Sequence, residues 1–578
     1  MNKTAIKNFA IWARNKLIAD IHYRAGLLGI TAEGIANPLP QSTGDTEFYD
    51  IGTAEPYSIH GQAVKQRKRL VELLNKKAEE SDYATAYKYV LEEVAYTWFN
   101  RLIAVRFMEV NDYLPSHIRV LSSESGKVEP DLVTMPFDAD LEFTETERAS
   151  VIQMKQDNQL DELFRLLFIK ECNALNEILP ALFEKTNDYT ELLLSISAID
   201  KEGVVYHLVN DIPEEDFDVE KGGQVEIIGW LYQYYISEQH DEIVNIYKGT
   251  VKTEDIPAAT QLFTTDWVVR YMVDNSLGRY WIERNPQSEL KDKLRYFALP
   301  KDQKIRYIDE KIEPQDLTFL DPCMGSGHIL VYAFDVLMDI YTECGYSKRD
   351  AVTEIINNNL FGLDIDKRAY QWAYFSVMMK ARQYDRRFFT RGVEPQVYCP
   401  QKDKELLEFG SLVQVNELSE KPKEPHELTL FNLDYEDVLN DWNFRRLLVK
   451  KYVAVCTNPP YLNKYNDKLK KLVTKYYKAY SGDLFSVFMY RNFDLCQKNG
   501  YAGFMTPFVW MFIKTYEKLR EYIINNKSIT TLIQMEYSAF EEATVPICSF
   551  VLQNGKNQNK ALCFRLSDFK GASCIIQI

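Results

Sequence analysis

Apolar residues in the first part of the chain recur at spacings of three and four, as they do on one face of a helix. The clearest segment, 84–111, places five large apolar residues on such a face: Val94, Trp98, Leu102, Val105 and Met108. A face of this width is typical of a helix packed against other helices. The stretch 226–237 has the same character, and the polar stretch 122–127 predicts a loop. The sequence therefore predicts a mainly α-helical domain over residues 1–250.

After about residue 255 the pattern changes to short apolar runs that end in polar residues, with helical patterns between them. Three such runs predict strands: 317–320, 360–363 and 452–456. Strands that alternate with helices predict an α/β domain with a mostly parallel, Rossmann-like doubly wound sheet over residues 251–578. Ligands bind beyond the carboxyl ends of the strands in such a sheet. Asp321, Asp364 and Asn458 follow the three runs and are expected at that edge.

Length and composition indicate a globular protein without membrane segments. At 578 residues the chain is long enough for about three or four domains. No apolar stretch approaches the roughly 18 residues that a membrane span needs, and the first residues lack a signal-peptide core. We therefore expect a cytoplasmic protein with no membrane partner. The nine cysteines include no CxxC pair, so we expect neither structural disulfides nor a metal site.

The formal charge of −16 disfavours a nucleic-acid partner for the chain as a whole, because phosphate contacts need lysine and arginine. A binding groove needs only local basicity, however. Residues 464–478 contain six lysines and one acid, and residues 380–391 form a second basic run. Each run is consistent with a path for DNA and with an ordinary solvated helix face.

The first candidate binding motif is Asp321-Pro322-Cys323-Met324-Gly325-Ser326-Gly327, between a predicted strand and a predicted helix over 329–337. Gly325 and Gly327 permit a tight turn and a close approach of ligand to backbone. The third glycine of the dinucleotide pattern is missing, which disfavours a pyrophosphate. An acid at the strand end suits a cation such as the ammonium group of S-adenosyl-L-methionine. An ordinary strand-to-helix turn is the alternative, and we interpret His328 as a bystander.

The second candidate motif follows the next predicted strand. A carboxylate in that position can accept both ribose hydroxyls of a nucleoside cofactor, and we assign this role to Asp364. Ile365 is expected to pack on the adenine ring. For Asp366 the alternative to a ligand-binding role is the N-cap of the predicted helix over 367–381.

The third motif, Asn458-Pro459-Pro460-Tyr461, favours catalysis on a planar amine. The two prolines stiffen the loop and remove two backbone donors. The Asn458 amide oxygen and the Pro459 carbonyl can then accept from one amino group and draw its lone pair out of conjugation. Tyr461 offers a flat face for an extruded base. A proline-rich turn with a capping asparagine is the alternative, which the order of the three motifs disfavours.

In this order the motifs resemble those of the γ-order amino-methyltransferases, over residues 255–555. The resemblance implies methyl transfer from S-adenosyl-L-methionine to adenine N6, with no metal. Thr265 stands where the family usually has proline, after a Phe-Thr pair. The resemblance implies that Phe540 is a second aromatic against the flipped base. The implied cofactor-binding residues are Phe263, Thr264, Asp321, Pro322, Cys323, Gly325, Gly327, Asp364, Ile365 and Asp483.

The residue that holds the edge of the cofactor adenine is left open by the sequence. The segment Gly410-Ser411-Leu412 resembles the corresponding motif of the family, but the expected acid is missing there. Ser411, Asp434 and Asp437 are therefore alternatives for this role.

The helical part resembles a narrower group, the PglX-type methyltransferases of BREX phage-defence systems. Residues 96–109 (YTWFNRLIAVRFME) and the opening residues up to Pro40 carry this resemblance. It implies methylation of host double-stranded DNA at specific sites and other defence proteins as partners. Proteins of this group are considerably longer, so the chain resembles a truncated product or half of a split gene, whose target-recognition domain is absent or only begun.

Two other functions are compatible with these motifs. The same chemistry would serve a methyltransferase that acts on another planar amine, an RNA base or a protein glutamine. A truncated chain would also be compatible with a non-catalytic subunit of a defence complex. Enzymes that fuse a nuclease to the methyltransferase share the helical region, but we find no convincing acid-plus-lysine nuclease core in the first 250 residues.

Overall fold

A computed structural model of the chain describes residues 1–184, 189–246, 256, 260, 264–299, 304–425, 434–535, 546–557 and 559–566. The chain divides into two compact units, Met1–Tyr235 and Ile236–Ile578. The division falls somewhat before the predicted domain boundary at residue 250. In the part of the chain that the structure describes, no helix is both long and apolar enough to cross a membrane.

The first unit is mainly helical, as the hydrophobic pattern predicts. Two small antiparallel hairpins accompany the helices, and their strands are β1 (Ile30–Thr31), β2 (Gly34–Ile35), β3 (Thr46–Tyr49) and β4 (Tyr57–His60). The helices are α1 (Lys3–Leu27), α2 (Gln62–Glu80), α3 (Tyr83–Val110), α4 (Asp131–Thr134), α5 (Glu145–Gln156), α6 (Leu160–Leu175), α7 (Tyr189–Leu193), α8 (Val204–Asn210), α9 (Glu214–Phe217) and α10 (Ile227–Ile246).

Helix α3 forms the centre of this unit. The five apolar residues that predict it are all buried, with at most 1% of each exposed. It also buries Arg106, whose guanidinium forms ion pairs with Glu109 at 2.7 Å and with Glu214 at 3.0 Å. A buried arginine is tolerated only when its charge is paired in this way. The predicted helix over 84–111 is therefore confirmed to within one residue at each end.

The second unit alternates strands and helices. Its strands are β5 (Phe319–Asp321), β6 (Leu360–Leu363), β7 (Gln396–Tyr398), β8 (Tyr452–Thr457), β9 (Cys496–Pro507), β10 (Ser528–Gln534), β11 (Ile547–Gln553) and β12 (Leu562–Arg565). Its helices are α11 (Asp266–Val273), α12 (Arg279–Arg284), α13 (Leu290–Lys293), α14 (His328–Glu343), α15 (Lys348–Glu354), α16 (Lys367–Tyr384), α17 (Lys404–Phe409), α18 (Tyr435–Val449), α19 (Asp467–Tyr476), α20 (Leu484–Leu495) and α21 (Glu517–Asn526).

The strands of this unit form one sheet in the order β12-β10-β11-β9-β8-β5-β6-β7. Strands β5 to β9 are parallel to their neighbours within that group, and β11 is antiparallel to both β9 and β10. The chain runs outward from β5 to β6 and β7 and then returns to β8, on the other side of β5. The fold is therefore α/β and Rossmann-like, with its topological switch point between β5 and β8.

Layers on both faces of the sheet bury its central strands. All six residues of β8 are buried, as expected for a parallel strand covered on both sides. Helix α18 contributes Phe444 and Leu447 to an apolar cluster with Tyr452 of β8. Ser276, in the π-helical turn between α11 and α12, has its hydroxyl oxygen 3.0 Å from the sulfur of Cys456. The carboxyl ends of these strands are thus held on a rigid support.

Candidate active site

The strand order brings the three sequence motifs together at one edge of the sheet. Asp321 is the last residue of β5, Asp364 follows β6 and Asn458 follows β8. The strands β8, β5 and β6 are parallel neighbours in the sheet. Their carboxyl ends therefore lie side by side at the switch point, although the motifs are far apart in sequence.

A buried hydrogen bond connects the first motif to the third. The Thr457 hydroxyl donates to Asp321 Oδ1 over 2.7 Å, and the Cys323 amide donates to the same oxygen over 3.1 Å. Asp321 is 1% exposed, and its other oxygen, Oδ2, has no hydrogen-bond partner among the described residues. Burial raises the pKa of Asp321 to about 7, against the opposing effect of these hydrogen bonds. The site thus contains a buried carboxyl group with one unpartnered oxygen.

Two glycines shape the loop after β5. Gly325 and Gly327 have φ of +51° and +82°, in the left-handed region. A Cβ on Gly327 would also lie 2.9 Å from the Cα of Ala373, so a side chain does not fit there. A Cβ on Gly325 would meet no atom within 4 Å, so the loop is open on that side. The loop therefore exposes its backbone to a ligand beside Gly325.

Asp364 closes the loop from the neighbouring strand. Its Oδ2 accepts a hydrogen bond of 2.9 Å from the Gly325 amide, and its Oδ1 accepts one of 2.9 Å from the Asp366 amide. Burial raises the pKa of this carboxyl to about 6. Asp366 in turn caps α16 by accepting from the Arg368 amide, as the sequence suggests. Asp364 thus orders the glycine loop and keeps further lone pairs for a ligand.

Among the three residues considered for the adenine edge, only Ser411 is bonded to the first motif. Its hydroxyl donates to the Pro322 carbonyl over 2.6 Å. Its neighbour Gly410 lies against Ile365, whose Cβ would be 3.5 Å from a Cβ built on that glycine. The other two candidates form exposed ion pairs with Lys402: Asp434 at 3.0 Å and Asp437 at 3.6 Å. The contacts favour Ser411 for this position.

The Tyr461 hydroxyl lies against the side-chain amide oxygen of Asn458. It is 2.9 Å from Asn458 Oδ1 and 3.1 Å from the Met505 carbonyl of β9, and its single hydrogen serves one acceptor at a time. The ring packs edge-on against Phe485, with centroids 6.1 Å apart. Burial raises the pKa of Tyr461 well above its usual value, so the hydroxyl remains a donor. The sequence predicts base stacking for Tyr461, whereas these contacts show a residue that also orients Asn458.

Asp483 holds the third motif from the other side. Its Oδ1 accepts hydrogen bonds from the Leu462 amide at 2.9 Å and from the Phe485 amide at 3.2 Å. It is the N-cap of α20 and forms a capping box with Ser486. Burial raises the pKa of its carboxyl to about 6. These contacts order the backbone beside the Asn458 loop, and the cofactor role that the sequence assigns to Asp483 stays a prediction.

Thr264, the second residue of the upstream Phe-Thr pair, is placed by the run of α11 and α12 along α14. Arg270 stacks on the ring of Tyr332, with 4.6 Å to the centroid, and Trp281 donates to Glu343 over 3.4 Å. The two partners are separated by the same number of residues in both pairs. The segment of α11 and α12 therefore runs parallel to α14. Thr264, just before α11, is therefore level with the glycine loop at the start of α14. Phe263 and Phe540 lie outside the described residues.

The two basic runs differ in their surroundings. Helix α19 buries Leu469, Leu472 and Val473, and all six lysines of residues 464–478 are exposed. One of them, Lys468, pairs with Glu408 at 2.6 Å. In the second run Lys380 pairs with Asp335 and Arg391 pairs with Asp385, whereas Arg386 and Arg387 are exposed. Only the first run forms an exposed basic surface directly after the catalytic loop.

Comparison with known proteins identifies relatives of this chain. A family model described as Eco57I restriction-modification methylase matches residues 358–540. The adenine-specific methyltransferase PglX of Lacticaseibacillus casei (strain Zhang) is 40% identical over 98% of this chain, and BrxX of Escherichia coli O9:H4 (strain HS) is 34% identical over 98%. The chain spans about half the length of these curated relatives, 52% of each.

Among solved structures, a complex of DrdV with DNA aligns with 97% of this chain and 42% of that one, at 11% identity and a TM-score of 0.45.

Proposed function

This chain belongs to the family of the adenine-specific methyltransferases PglX and BrxX, and we propose that it transfers a methyl group from S-adenosyl-L-methionine to N6 of adenine in double-stranded DNA. The observation that carries the proposal is the 2.7 Å hydrogen bond from Thr457 to Asp321, which sets the Asn458 loop beside the glycine loop. A role in a BREX-type phage-defence system, with other defence proteins as partners, is part of the same proposal.

The residues at the strand ends fit the cofactor. The unpartnered Oδ2 of Asp321 suits the α-ammonium group, since a buried carboxylate needs a compensating charge. The open side of Gly325 accommodates the chain of the amino acid, and Asp364 is placed for the ribose hydroxyls. When bound, the cofactor supplies an electrophilic methyl group on a positively charged sulfur.

The catalytic loop acts on the amine through two fixed acceptors. Asn458 Oδ1 and the Pro459 carbonyl accept hydrogen bonds from the exocyclic amino group, whose nitrogen becomes positively charged as the methyl group moves to it from sulfur. S-adenosylhomocysteine leaves, and the methylated nitrogen then loses one proton to solvent. Oxygens already aimed at that charge stabilise the transition state more than the ground state. Pro459 and Pro460 fix the loop, and the Thr457 hydroxyl anchors it, so most of the catalytic effect comes from positioning.

The exposed lysines of α19 supply a path for the DNA backbone next to this loop. Extrusion of the target base from the duplex costs a few kcal/mol. We propose that stacking on Tyr461 and Phe540 offsets most of this cost, because base–aromatic stacking contributes about 1–3 kcal/mol per base. The lysines then hold the flanking phosphates, an interaction without sequence specificity.

Asn458→Ala is expected to lower methyl transfer by at least about 100-fold, the usual cost of losing one preorganised hydrogen-bonding group. Cofactor affinity is expected to stay close to that of the unsubstituted chain, because Asn458 faces the amine. Tritium transfer to duplex DNA and calorimetric cofactor binding measure the two quantities.

Asn526→Ala, at the exposed end of α21, is the matched control and should change neither methyl transfer nor cofactor affinity. Equal loss of transfer and of cofactor affinity in Asn458→Ala would contradict this division of roles. Label on RNA or on protein glutamine, with none on DNA, would contradict the proposed substrate.

Cofactor affinity is expected to rise with pH towards about 7. Asp321 has a pKa of about 7 in the free protein, so at lower pH it is mostly protonated and a cationic ligand must displace that proton. The ammonium lowers the pKa of Asp321 on binding, so the affinity increases until the free carboxyl is ionised. Asp364, with a pKa of about 6, contributes in the same direction at lower pH.

Calorimetry in buffers of different ionisation enthalpy measures the released proton. The measurements stay below about pH 7.7–8.0, the range in which α-amino groups titrate. In Asp321→Asn the proton release near pH 7 should disappear. An unchanged pH profile in that variant would show that Asp321 does not face the ammonium.

Replacement of Lys470, Lys471 and Lys475 by glutamine is expected to weaken duplex binding and to reduce its dependence on salt. For every phosphate that the variant no longer neutralises, the slope of log affinity against log salt should fall by about one unit. Fluorescence anisotropy with a labelled duplex at several salt concentrations measures this slope.

The control variant replaces Lys498, Lys556 and Lys560 by glutamine. These exposed lysines lie at the edge of the sheet opposite the Asn458 loop, so the slope should stay unchanged. The same reduction in both triple variants would show that binding depends on total charge and not on α19.

A further inference from the structure

The first unit contains a large open cavity that the methyl-transfer reaction does not use. Its volume is about 850 Å³, within the range of ligand pockets. One wall is formed by β4 and the first turns of α2, and the other by α5, α6 and α7. All its lining residues belong to the first unit, whereas the proposed catalytic and cofactor residues belong to the second.

Two arginines line this cavity and are held there by backbone carbonyls. Arg24 donates from Nε to the Leu192 carbonyl over 3.3 Å. Arg165 donates from Nε to the Leu194 carbonyl over 3.1 Å and from Nη2 to the Glu191 carbonyl. Carbonyls fix the direction of a guanidinium without neutralising its charge. Each side chain therefore keeps donors and a full positive charge at the cavity.

The two guanidinium groups are close enough to repel each other. Burial lowers the pKa of Arg165 and the positive charge of Arg24 lowers it further, while the charges of Glu191 and Glu162 oppose these effects. Two like charges held this close form a site that gains stability when an anion binds.

The other charged groups of the cavity already have partners. Lys170 pairs with Glu147 at 2.9 Å, and the carboxylate of Glu191 accepts from the Gln66 amide at 3.2 Å. Apolar side chains complete the walls: Ile59, Leu166, Ile169 and Leu192. The charged lining residues are three cations (Arg24, Arg165 and Lys170) and two carboxylates (Glu147 and Glu191), so the cavity combines a net positive charge with apolar walls.

We propose that this cavity binds a phosphate group, with Arg24 and Arg165 as its ligands. The planar fork of a guanidinium matches two phosphate oxygens, which makes arginine pairs selective for phosphate. The phosphate belongs either to a free nucleotide or to the backbone of DNA, and these two sources share the chemistry that the site recognises. The site is a second binding site, so it would stand even if the methyl-transfer proposal failed.

The test titrates the whole chain with inorganic pyrophosphate, with ATP and with a short DNA duplex, and follows thermal unfolding and calorimetric heat. Arg24→Gln/Arg165→Gln is expected to weaken binding at least about tenfold, since both charge-assisted hydrogen bonds to the phosphate are lost. Arg148→Gln, which replaces an exposed arginine of α5, is the matched control and should bind as the unsubstituted chain does.

Arg24→Lys/Arg165→Lys keeps both charges and should bind with intermediate strength, which separates recognition from unfolding if the glutamine variant is unstable. Loss of ATP or pyrophosphate binding in the glutamine variant would identify a nucleotide as the source, and loss of duplex binding alone would identify DNA. The proposal is overturned if none of the three compounds binds the unsubstituted chain, or if the lysine and glutamine variants bind them as tightly as it does.

Discussion

The hydrogen bond from the Thr457 hydroxyl to the Asp321 carboxylate joins the ends of the two strands from which the Asn458 loop and the glycine loop begin. Both residues are buried, so the bond is shielded from competing water. It crosses from β8 to β5 at the switch point of the sheet. The loop that carries the amine acceptors therefore keeps a defined distance from the loop that receives the cofactor, and an in-line transfer depends on that distance.

Residues that do not contact the reacting atoms supply much of this order. Asp483 ties the backbone after Tyr461 to the first turn of α20, and Ser411 ties Pro322 to the segment beside Ile365. The cost of burying these groups is offset by the hydrogen bonds that they make. Asp321 keeps an oxygen without a partner and a raised pKa, as expected of a carboxyl group whose partner is a ligand.

The sequence predicts the parts of the site that depend on neighbours in the chain. The strand over 360–363, the positions of Asp321 and Asn458 at strand ends and the cap at Asp366 follow from local patterns and agree with the structure. The bond of Thr457 and the clamp at Asp483 join segments that are distant in sequence, so no local pattern indicates them. The antiparallel insertion of β11 depends on strand pairing in the same way.

We expect the cofactor and the amine to meet between the ends of β8, β5 and β6. A crystal structure of the chain with S-adenosylhomocysteine and an adenine-containing duplex measures this directly. The ligand's ammonium is expected on Asp321 Oδ2, its ribose hydroxyls on Asp364, and the adenine amino group facing Asn458 Oδ1 and the Pro459 carbonyl. A ligand bound elsewhere, or an amino group that neither oxygen contacts, would contradict it.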